Sequence, residues 1–360
     1  MTSVSSLMER AIASRTFPAA TIEVGRRDGV LWNAAFRRLT YAPDAVATTP
    51  DTLFDLASLT KVIATSTLVM RAVDAGTLSL EDRIAGRLPG WRGSDRDRVT
   101  IADLLEHASG LTAYLPFFRD HHVRAEFERA ICTLPLEYAP RSQSIYSDLG
   151  FMLLAFILED VNRAPLATQF DGLFRLKAEA TGDARENAED YLAFRVKGDA
   201  SRIDKARFAP TELDLWRGRL LQGEVHDENA WTLGGAAGHA GLFGTAASVG
   251  AFARLVLRGF SGDRTLADPA TLARFARRST VPGSSRALAW DTMLPTSSCG
   301  TRLSPSAIGH TGFTGTSLWI DPPQDLYIVL LTNRVHPTRE NHRIQEVRRN
   351  VHDAIVDSLQ

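Results

Sequence analysis

The spacing of apolar residues near the start of the chain changes from a helical period to an alternating one. An amphipathic helix is predicted from apolar residues that recur every three or four positions, namely Val4, Leu7, Met8 and Ile12. Residues 20–24 and 30–37 are predicted strands, and the Asp28-Gly29 dipeptide between them is typical of a hairpin turn. The chain is therefore expected to begin with a helix and a β-hairpin.

Helical spacing dominates the middle of the chain. A buried helix is predicted over residues 58–75, because apolar residues are dense there and Gly76 follows as a terminator. Thr100 is a suitable N-cap for a short helix that ends near residue 107. The pattern is mixed over residues 165–222, and further helices are predicted over residues 120–134, 149–159 and 245–257.

The C-terminal part returns to strands and ends in a helix. Strands are predicted over residues 316–320 and 326–331, and the final helix from the regular stripe of Ile344, Val347, Val351 and Ile355. This order predicts an α+β fold, in which an antiparallel β-sheet built from both chain ends is flanked by helices. Residues 1–75 and 230–360 would form the sheet domain, and residues 76–229 a mostly helical inserted domain.

Composition and charge narrow the classes of partner. The chain is 44% hydrophobic and 23% charged with a net charge of −1, which is typical of a globular protein and implies no nucleic-acid partner. The longest apolar run, residues 151–158, is too short to span a membrane. The first residues lack a signal-peptide pattern, so a cytoplasmic location is expected, or a periplasmic one if a signal was removed. Cys132 and Cys299 are interpreted as buried free thiols rather than a disulfide, and the oligomeric state is left open.

Ser58 and Lys61 stand three residues apart at the start of the predicted buried helix. Residues at this spacing share a helix face, so the lysine amine can lie beside the serine hydroxyl. A helix N-terminus also favours negative charge that develops nearby. This arrangement suits a serine nucleophile for acyl transfer, although the S-x-x-K spacing alone occurs often by chance.

Acyl transfer at Ser58 also needs a proton relay and donors to an oxyanion. Tyr146 lies just before the predicted helix over residues 149–159, and a nearby lysine ammonium is expected to lower the pKa of this tyrosine. The His310-Thr311-Gly312 stretch leads into the first late strand, where glycine allows a ligand to lie along the strand edge. Taken singly, the tyrosine stretch is interpreted as a surface turn and the His310 stretch as a glycine-rich strand start.

Taken together, S-x-x-K, Tyr-Ser-Asp and His-Thr-Gly resemble, in order and spacing, the serine β-lactamase and penicillin-binding-protein superfamily. The resemblance is closest to its class C β-lactamase-like branch, which also holds esterases and D-peptidases. Further segments similar to that branch are residues 104–111, 223–230, 238–243 and 309–321. The resemblance covers roughly residues 20–335 and implies an α/β part made from both termini, a helical part, and a site between them.

The resemblance implies a role for each matching residue. Ser58 would be the acylated nucleophile, Lys61 would assist its deprotonation, and Tyr146 would be the base or relay. The backbone N–H groups of Ser58 and Phe313 would form the oxyanion hole, while Thr311 and Gly312 would line the substrate edge. No cofactor and no metal are needed, and the partner would be a small-molecule ester, amide or β-lactam.

Two residues depart from the usual motifs of this branch. Asp148 stands where Asn is usual, and an ionised Asp cannot donate to a substrate carbonyl but can pair with Lys61 and hold it charged. His310 stands where many relatives have Lys, and a mostly neutral histidine attracts a substrate carboxylate less. These departures favour a serine hydrolase of carboxylic esters or small amides. The alternatives are a β-lactamase, D-Ala-D-Ala carboxypeptidase or D-aminopeptidase activity, and a non-catalytic binding protein on the same fold.

Other motifs offer weaker alternatives. His226 and His239 flank two acidic residues, but no HExxH or paired-cysteine spacing supports a metal site, and a structural loop with backbone-bonded histidines is favoured. The absence of G-x-S-x-G argues against a nucleophile elbow. Trp216, Trp231 and Trp319 are compatible with an acyl pocket, although core packing is favoured for them.

Overall fold

The computed structural model describes residues 1–172, 192–197 and 203–359. The helices are α1 (Thr2–Ala13), α2 (Ser66–Asp74), α3 (Ile84–Arg87), α4 (Ile101–Leu105), α5 (Arg124–Thr133), α6 (Asp148–Asn162), α7 (Glu228–Thr232), α8 (Ala246–Phe260), α9 (Pro269–Ala276) and α10 (Ile344–Asp357). Lys61–Thr65 forms a π-helical turn that runs into α2, and Phe117–Arg119 and Lys205–Arg207 are 3₁₀ turns.

Among the residues that the structure describes, the strands form one large sheet and two small ones. They are β1 (Ala19–Arg26), β2 (Gly29–Arg37), β3 (Phe54–Asp55), β4 (Leu192–Phe194), β5 (Leu213–Asp214), β6 (Arg219–Leu220), β7 (Leu242–Gly244), β8 (Asp291–Thr292), β9 (Ile308–Thr311), β10 (Ser317–Asp321) and β11 (Leu326–Thr332). The large sheet has the order β2-β1-β11-β10-β9-β8 and the smaller sheets are β3-β7-β4 and β5-β6.

The large sheet joins the two ends of the chain. Strand β1 pairs antiparallel with β11, which places Ala20 opposite Thr332. Because side chains alternate across a strand, β11 contributes side chains to the apolar cores on both faces of the sheet. Ile328 and Leu330 pack with the terminal helices α1 and α10, whereas Val329 and Leu331 belong to the cluster on the other face. The predicted α+β fold with a sheet built from both chain ends is confirmed.

Several boundaries differ from those that the sequence pattern predicts. Helix α5 begins at Arg124 rather than near residue 120. The Glu126 carboxylate accepts the N–H groups of His122 and Val123, which caps the helix and fixes its first residue. The sequence pattern predicts no separate strand at β9, since it places residues 310–312 at the start of the strand over residues 316–320. The helix predicted over residues 58–75 contains the π-helical turn. Thr100 caps α4 as expected, in a capping box with Asp103.

Three broader expectations concern the cysteines, the domain boundaries and membrane-spanning helices. Both cysteines are buried free thiols, as predicted. The domain boundaries at residues 75 and 230 stay a prediction, and residues 173–191 and 198–202 of the mixed stretch lie outside the described residues. Within the described part of the chain, no helix combines the length and the apolarity that crossing a membrane requires.

Candidate active site

Ser58 is presented by a tight turn between β3 and the π-helical turn. The buried Asp55 carboxylate accepts the N–H of Ala57 at 2.8 Å and that of His226 at 2.7 Å. Ala57 has a φ of 47°, in the left-handed region, which costs a non-glycine residue roughly 1–3 kcal/mol. The Asp55 contacts therefore hold a strained backbone that places Ser58 at the helix N-terminus.

Lys61 is fully buried directly behind Ser58. Its Nζ lies 3.0 Å from Ser58 Oγ and 3.1 Å from the carbonyl oxygen of His239. It also forms an ion pair with Asp148, in which Nζ and Oδ1 are 2.6 Å apart. Three oxygen atoms thus surround the three protons of one ammonium group.

The charge of Lys61 follows from these contacts. Burial acts to lower the pKa of Lys61, but the Asp148 carboxylate, with Tyr146, outweighs it and raises that pKa above its ordinary value. Lys61 is therefore an ammonium at neutral pH. The pairing with Asp148 that the sequence suggested is present, and it removes Lys61 as a free base in the resting site.

Tyr146 lies just before α6, and its hydroxyl donates a hydrogen bond to Ser58 Oγ at 2.7 Å. Burial raises the pKa of Tyr146, and the lowering effect of Lys61 does not reverse this. The expectation that a lysine ammonium would lower this pKa is wrong, because desolvation of the phenolate is the larger effect. Tyr146 is thus a neutral phenol at pH 7 in the resting site.

The backbone N–H groups of Ser58 and Phe313 are candidate donors to an oxyanion, since both residues line the same cavities. Within the described residues, neither the N–H of Ser58 nor that of Phe313 donates a hydrogen bond. Gly312 brings the two segments together, since a Cβ there would lie 2.1 Å from Thr316 Oγ1 and 2.5 Å from the carbonyl oxygen of Leu56. Unpaired N–H groups at such a junction suit the stabilisation of an oxyanion.

Two cavities meet at Ser58. The first has a volume of about 310 Å³ and is lined by the carboxylates of Asp148, Asp227 and Glu228. The second has a volume of about 300 Å³ and runs along the end of β9. Ser58, Tyr146 and Phe313 line both cavities, and Phe313 is 47% exposed.

The second cavity is positively charged. Arg286, Arg334 and Arg348 line it, and none of them forms an ion pair with a carboxylate of the described residues. Arg348 is buried and donates to the carbonyl oxygens of Gly312 and Thr316, each at 2.8 Å. Sequence reasoning missed these arginines because single arginines in loops and helices carry no spacing pattern.

His310 adds no charge to this cavity. It is buried, and its Nδ1 lies 2.8 Å from the carbonyl oxygen of Thr311, to which it donates. Burial, with the nearby Arg286 and Lys61, holds the pKa of His310 well below its usual range. His310 is therefore neutral, as the sequence suggested, and Thr311 and Gly312 line the cavity beside it.

The remaining candidates are two histidines that line the first cavity, His226 and His239, and the three tryptophans. Nε2 of His226 lies 2.9 Å from a carboxylate oxygen of Glu212, and Nε2 of His239 lies 2.9 Å from one of Asp227. The expectation that these histidine rings bond to backbone groups is therefore wrong, because carboxylates are their partners. Among the described residues no cluster of His, Cys, Asp and Glu side chains is placed to hold a metal ion. Trp319 is core, whereas Trp216 packs edge-on against Trp231 outside the residues that line the two cavities.

Comparison with known proteins places this geometry in a family. The Beta-lactamase family model matches residues 4–352. A putative D-alanyl-D-alanine carboxypeptidase of Salmonella gallinarum is 32% identical over 324 residues, which cover 83% of this chain and 73% of that protein. The corresponding protein of Salmonella typhi is 31% identical over the same coverage.

Solved structures share the fold. EstCE1, described as a hydrolase with promiscuous acyltransferase activity, has a TM-score of 0.74 at 20% identity and covers 98% of both chains. A class C beta lactamase from Rhodobacter sphaeroides has a TM-score of 0.74 at 20% identity and covers 100% of both chains. The match over nearly the whole chain shows that this protein belongs to the Beta-lactamase family and is a hydrolase of the serine β-lactamase and penicillin-binding-protein superfamily.

Proposed function

We propose that this hydrolase forms an acyl-enzyme at Ser58 and acts on carboxylic esters or small amides. The observation that carries the proposal is the double contact of Ser58 Oγ, which receives hydrogen bonds from Tyr146 and Lys61. The N–H groups of Ser58 and Phe313 have no hydrogen-bond partner among the described residues, and both residues line the same two cavities. A nucleophile, a proton relay and an oxyanion site thus converge on one point.

Tyr146 serves as a relay in this mechanism. Once substrate is bound, the Tyr146 hydroxyl donates to the leaving group instead of to Ser58, so that the Ser58 hydroxyl can donate to the Tyr146 oxygen. As Ser58 Oγ attacks the substrate carbonyl, its proton passes to the Tyr146 oxygen while the phenol proton passes to the leaving group. Tyr146 is neutral before and after this step, which agrees with its raised pKa. The Lys61 ammonium stabilises the negative charge that develops on Ser58 Oγ, and water later repeats the path in reverse to release the acid.

A second candidate activity is favoured by the arginines of the second cavity. Arg286 lies with its guanidinium carbon 5.2 Å from the Tyr146 ring centroid and has no carboxylate partner among the described residues. In this cavity the arginines would supply the positive partner for a substrate carboxylate, which the neutral His310 does not. This supports D-alanyl-D-alanine carboxypeptidase activity, the name that the Salmonella relatives carry, or the hydrolysis of β-lactams.

The acyl-enzyme is tested with a fluorophosphonate probe and a substrate panel. The probe is expected to label the wild type but not Ser58→Ala, and p-nitrophenyl butyrate turnover is expected to disappear in the same variant. Efficient nitrocefin turnover with negligible ester turnover would contradict the ester preference. A folded wild type that the probe does not label would favour the non-catalytic binding protein instead.

The second candidate is tested by Arg286→Gln. Loss of a hydrogen bond to a charged group costs roughly 1.5–3 kcal/mol, so kcat/KM for a D-Ala-D-Ala peptide is expected to fall about tenfold or more. The value for the uncharged ester is expected to change much less. Arg38→Gln, an exposed arginine distant in the fold, is the control and should alter neither substrate. An equal loss for both substrates would remove Arg286 from carboxylate recognition.

A further inference from the structure

His107 lies under Tyr146 and has no part in the mechanism above. It is 1% exposed, and its ring centroid lies 4.6 Å from that of Tyr146 and 5.1 Å from that of Phe151. Its Nδ1 accepts the N–H of Ser147 at 3.0 Å. A side chain thus bonds to the backbone beside the catalytic phenol while its ring packs against that phenol.

The backbone around His107 accepts hydrogen bonds from the same turn, residues 145–148, which we call the Tyr146 turn. The carbonyl oxygen of His107 accepts the N–H of Ile145 at 3.0 Å, and the Ser147 hydroxyl donates to the carbonyl oxygen of Thr112 at 2.6 Å. The N–H of Asp148 donates to the carbonyl oxygen of Ala113 at 3.0 Å. Among these hydrogen bonds, the one accepted by Nδ1 of His107 comes from the N–H of Ser147, the residue directly after Tyr146.

We propose that His107 is the positioning residue of the Tyr146 turn: its unprotonated Nδ1 holds the Ser147 N–H, and its ring fixes the plane of the phenol, so that the Tyr146 hydroxyl points at Ser58. The inference rests on the proposed acyl transfer at Ser58. Burial, together with Arg286 and Lys61, holds the pKa of His107 well below its usual range, so Nδ1 stays an acceptor at neutral pH. His107 has a φ of 55°, a left-handed backbone that Asn and Gly tolerate well.

This backbone suggests a matched pair of variants. His107→Asn keeps an acceptor at the Nδ1 position, whereas His107→Gly removes it, and neither variant strains the left-handed φ. A misplacement of about 1 Å costs roughly 100-fold in rate, so His107→Gly is expected to lower kcat by about that factor with KM little changed. His107→Asn is expected to regain at least about tenfold of this loss.

A double-mutant cycle separates positioning from a general loss of structure. If His107 acts through the phenol, His107→Gly is expected to cost nothing further in a Tyr146→Phe background. Thermal melts check that each variant is folded, and His107→Ala replaces His107→Gly if the latter does not fold. Equal kcat for the acceptor-containing and acceptor-free variants, or the same loss in the Tyr146→Phe background, would overturn the proposal. Fluorophosphonate labelling of the wild type tests the acyl-enzyme separately, so failure of either idea is recognised.

Discussion

At the scale of single residues, Asp148 sets the charge of the site. Its carboxylate lies 2.6 Å from Lys61 Nζ and keeps this fully buried lysine as an ammonium. Removal of one partner of a buried pair leaves an uncompensated charge, which costs far more than the pair itself contributes. With Asn at this position, the pKa of Lys61 would lose the largest contribution that raises it.

Asp148→Asn is expected to destabilise the protein by about 3 kcal/mol at pH 7. Without the carboxylate, burial is opposed only by the weaker effect of Tyr146, so the pKa of Lys61 in the folded variant is expected to fall below the ordinary value of 10.5. The unfolded state then binds more protons between these two pKa values, so the stability of the variant rises with pH across that window. In the wild type the folded pKa is raised, so the stability from this pair is fully present below pH 10.5 and does not rise with pH there.

Urea unfolding at several pH values measures this difference. Asp160→Asn, on the exposed side of the same helix, is the control, because Asp160 pairs with Arg124 at the surface and its loss should cost little at any pH. A pH-independent deficit in Asp148→Asn would show that Lys61 does not titrate in the variant.

Tyr146→Phe removes only the hydroxyl that contacts Ser58. Loss of a proton relay typically costs between about 100- and 10,000-fold in rate, so kcat is expected to fall within that range while the melting temperature changes little. Stopped-flow measurement of acylation is the direct readout. Near-normal acylation in the variant would assign the proton transfer to another group.

At the scale of elements, the site is a junction between two turns that glycine allows to touch. The end of β9 approaches the turn after β3, where Thr314 and Thr316 donate hydrogen bonds from their hydroxyls to the carbonyl oxygens of Asp55 and Leu56. Gly312 lies at the point of closest approach. The position of the Phe313 N–H relative to Ser58 therefore depends on the absence of one side chain.

Gly312→Ala is expected to separate these turns. The added Cβ meets Thr316 Oγ1 and the carbonyl oxygen of Leu56, which overpacks the junction and costs about 1–3 kcal/mol of stability. Displacement of one oxyanion donor typically lowers kcat by roughly 100- to 1,000-fold. Gly86→Ala is the control, since a Cβ at Gly86 meets nothing within 4 Å. A variant of Gly312 with wild-type kcat would exclude the Phe313 N–H as an oxyanion donor.

The elements that the sequence predicts well are the amphipathic terminal helices, with their one-sided apolar stripe, and α6, with its continuous apolar run. The terminal helices, the β1–β2 hairpin and α6 lie where the pattern placed them, and motif order brought Ser58, Lys61 and Tyr146 together. The direction of the Tyr146 pKa shift was not predictable, because it depends on burial that no local pattern reveals. The cationic cavity was missed for the same reason, since Arg286 and Arg348 meet only in the folded chain.

At the scale of the whole molecule, the large sheet separates the core under the terminal helices α1 and α10 from the core that surrounds the segment after Ser58. Helices α1 and α10 pack with Ile22 and Ile328 on one face, where Ile355 is fully buried. Ser58 lies in the turn before the π-helical segment and Lys61 within it, and the apolar residues of this segment belong to the other cluster. A cavity under α10 should therefore weaken the fold without moving the catalytic groups.

Ile355→Ala tests this separation. Truncation of a buried isoleucine costs about 2–5 kcal/mol, because contacts are lost and the neighbours relax only in part. The expected result is a lower melting temperature with kcat unchanged at a temperature where the variant is fully folded. Asn350→Ala, exposed on the same helix, controls for helix propensity and should alter neither quantity. A loss of kcat in folded Ile355→Ala would mean that α10 transmits its packing to the second cavity through Arg348, which lies on the same helix and binds the carbonyl oxygen of Gly312.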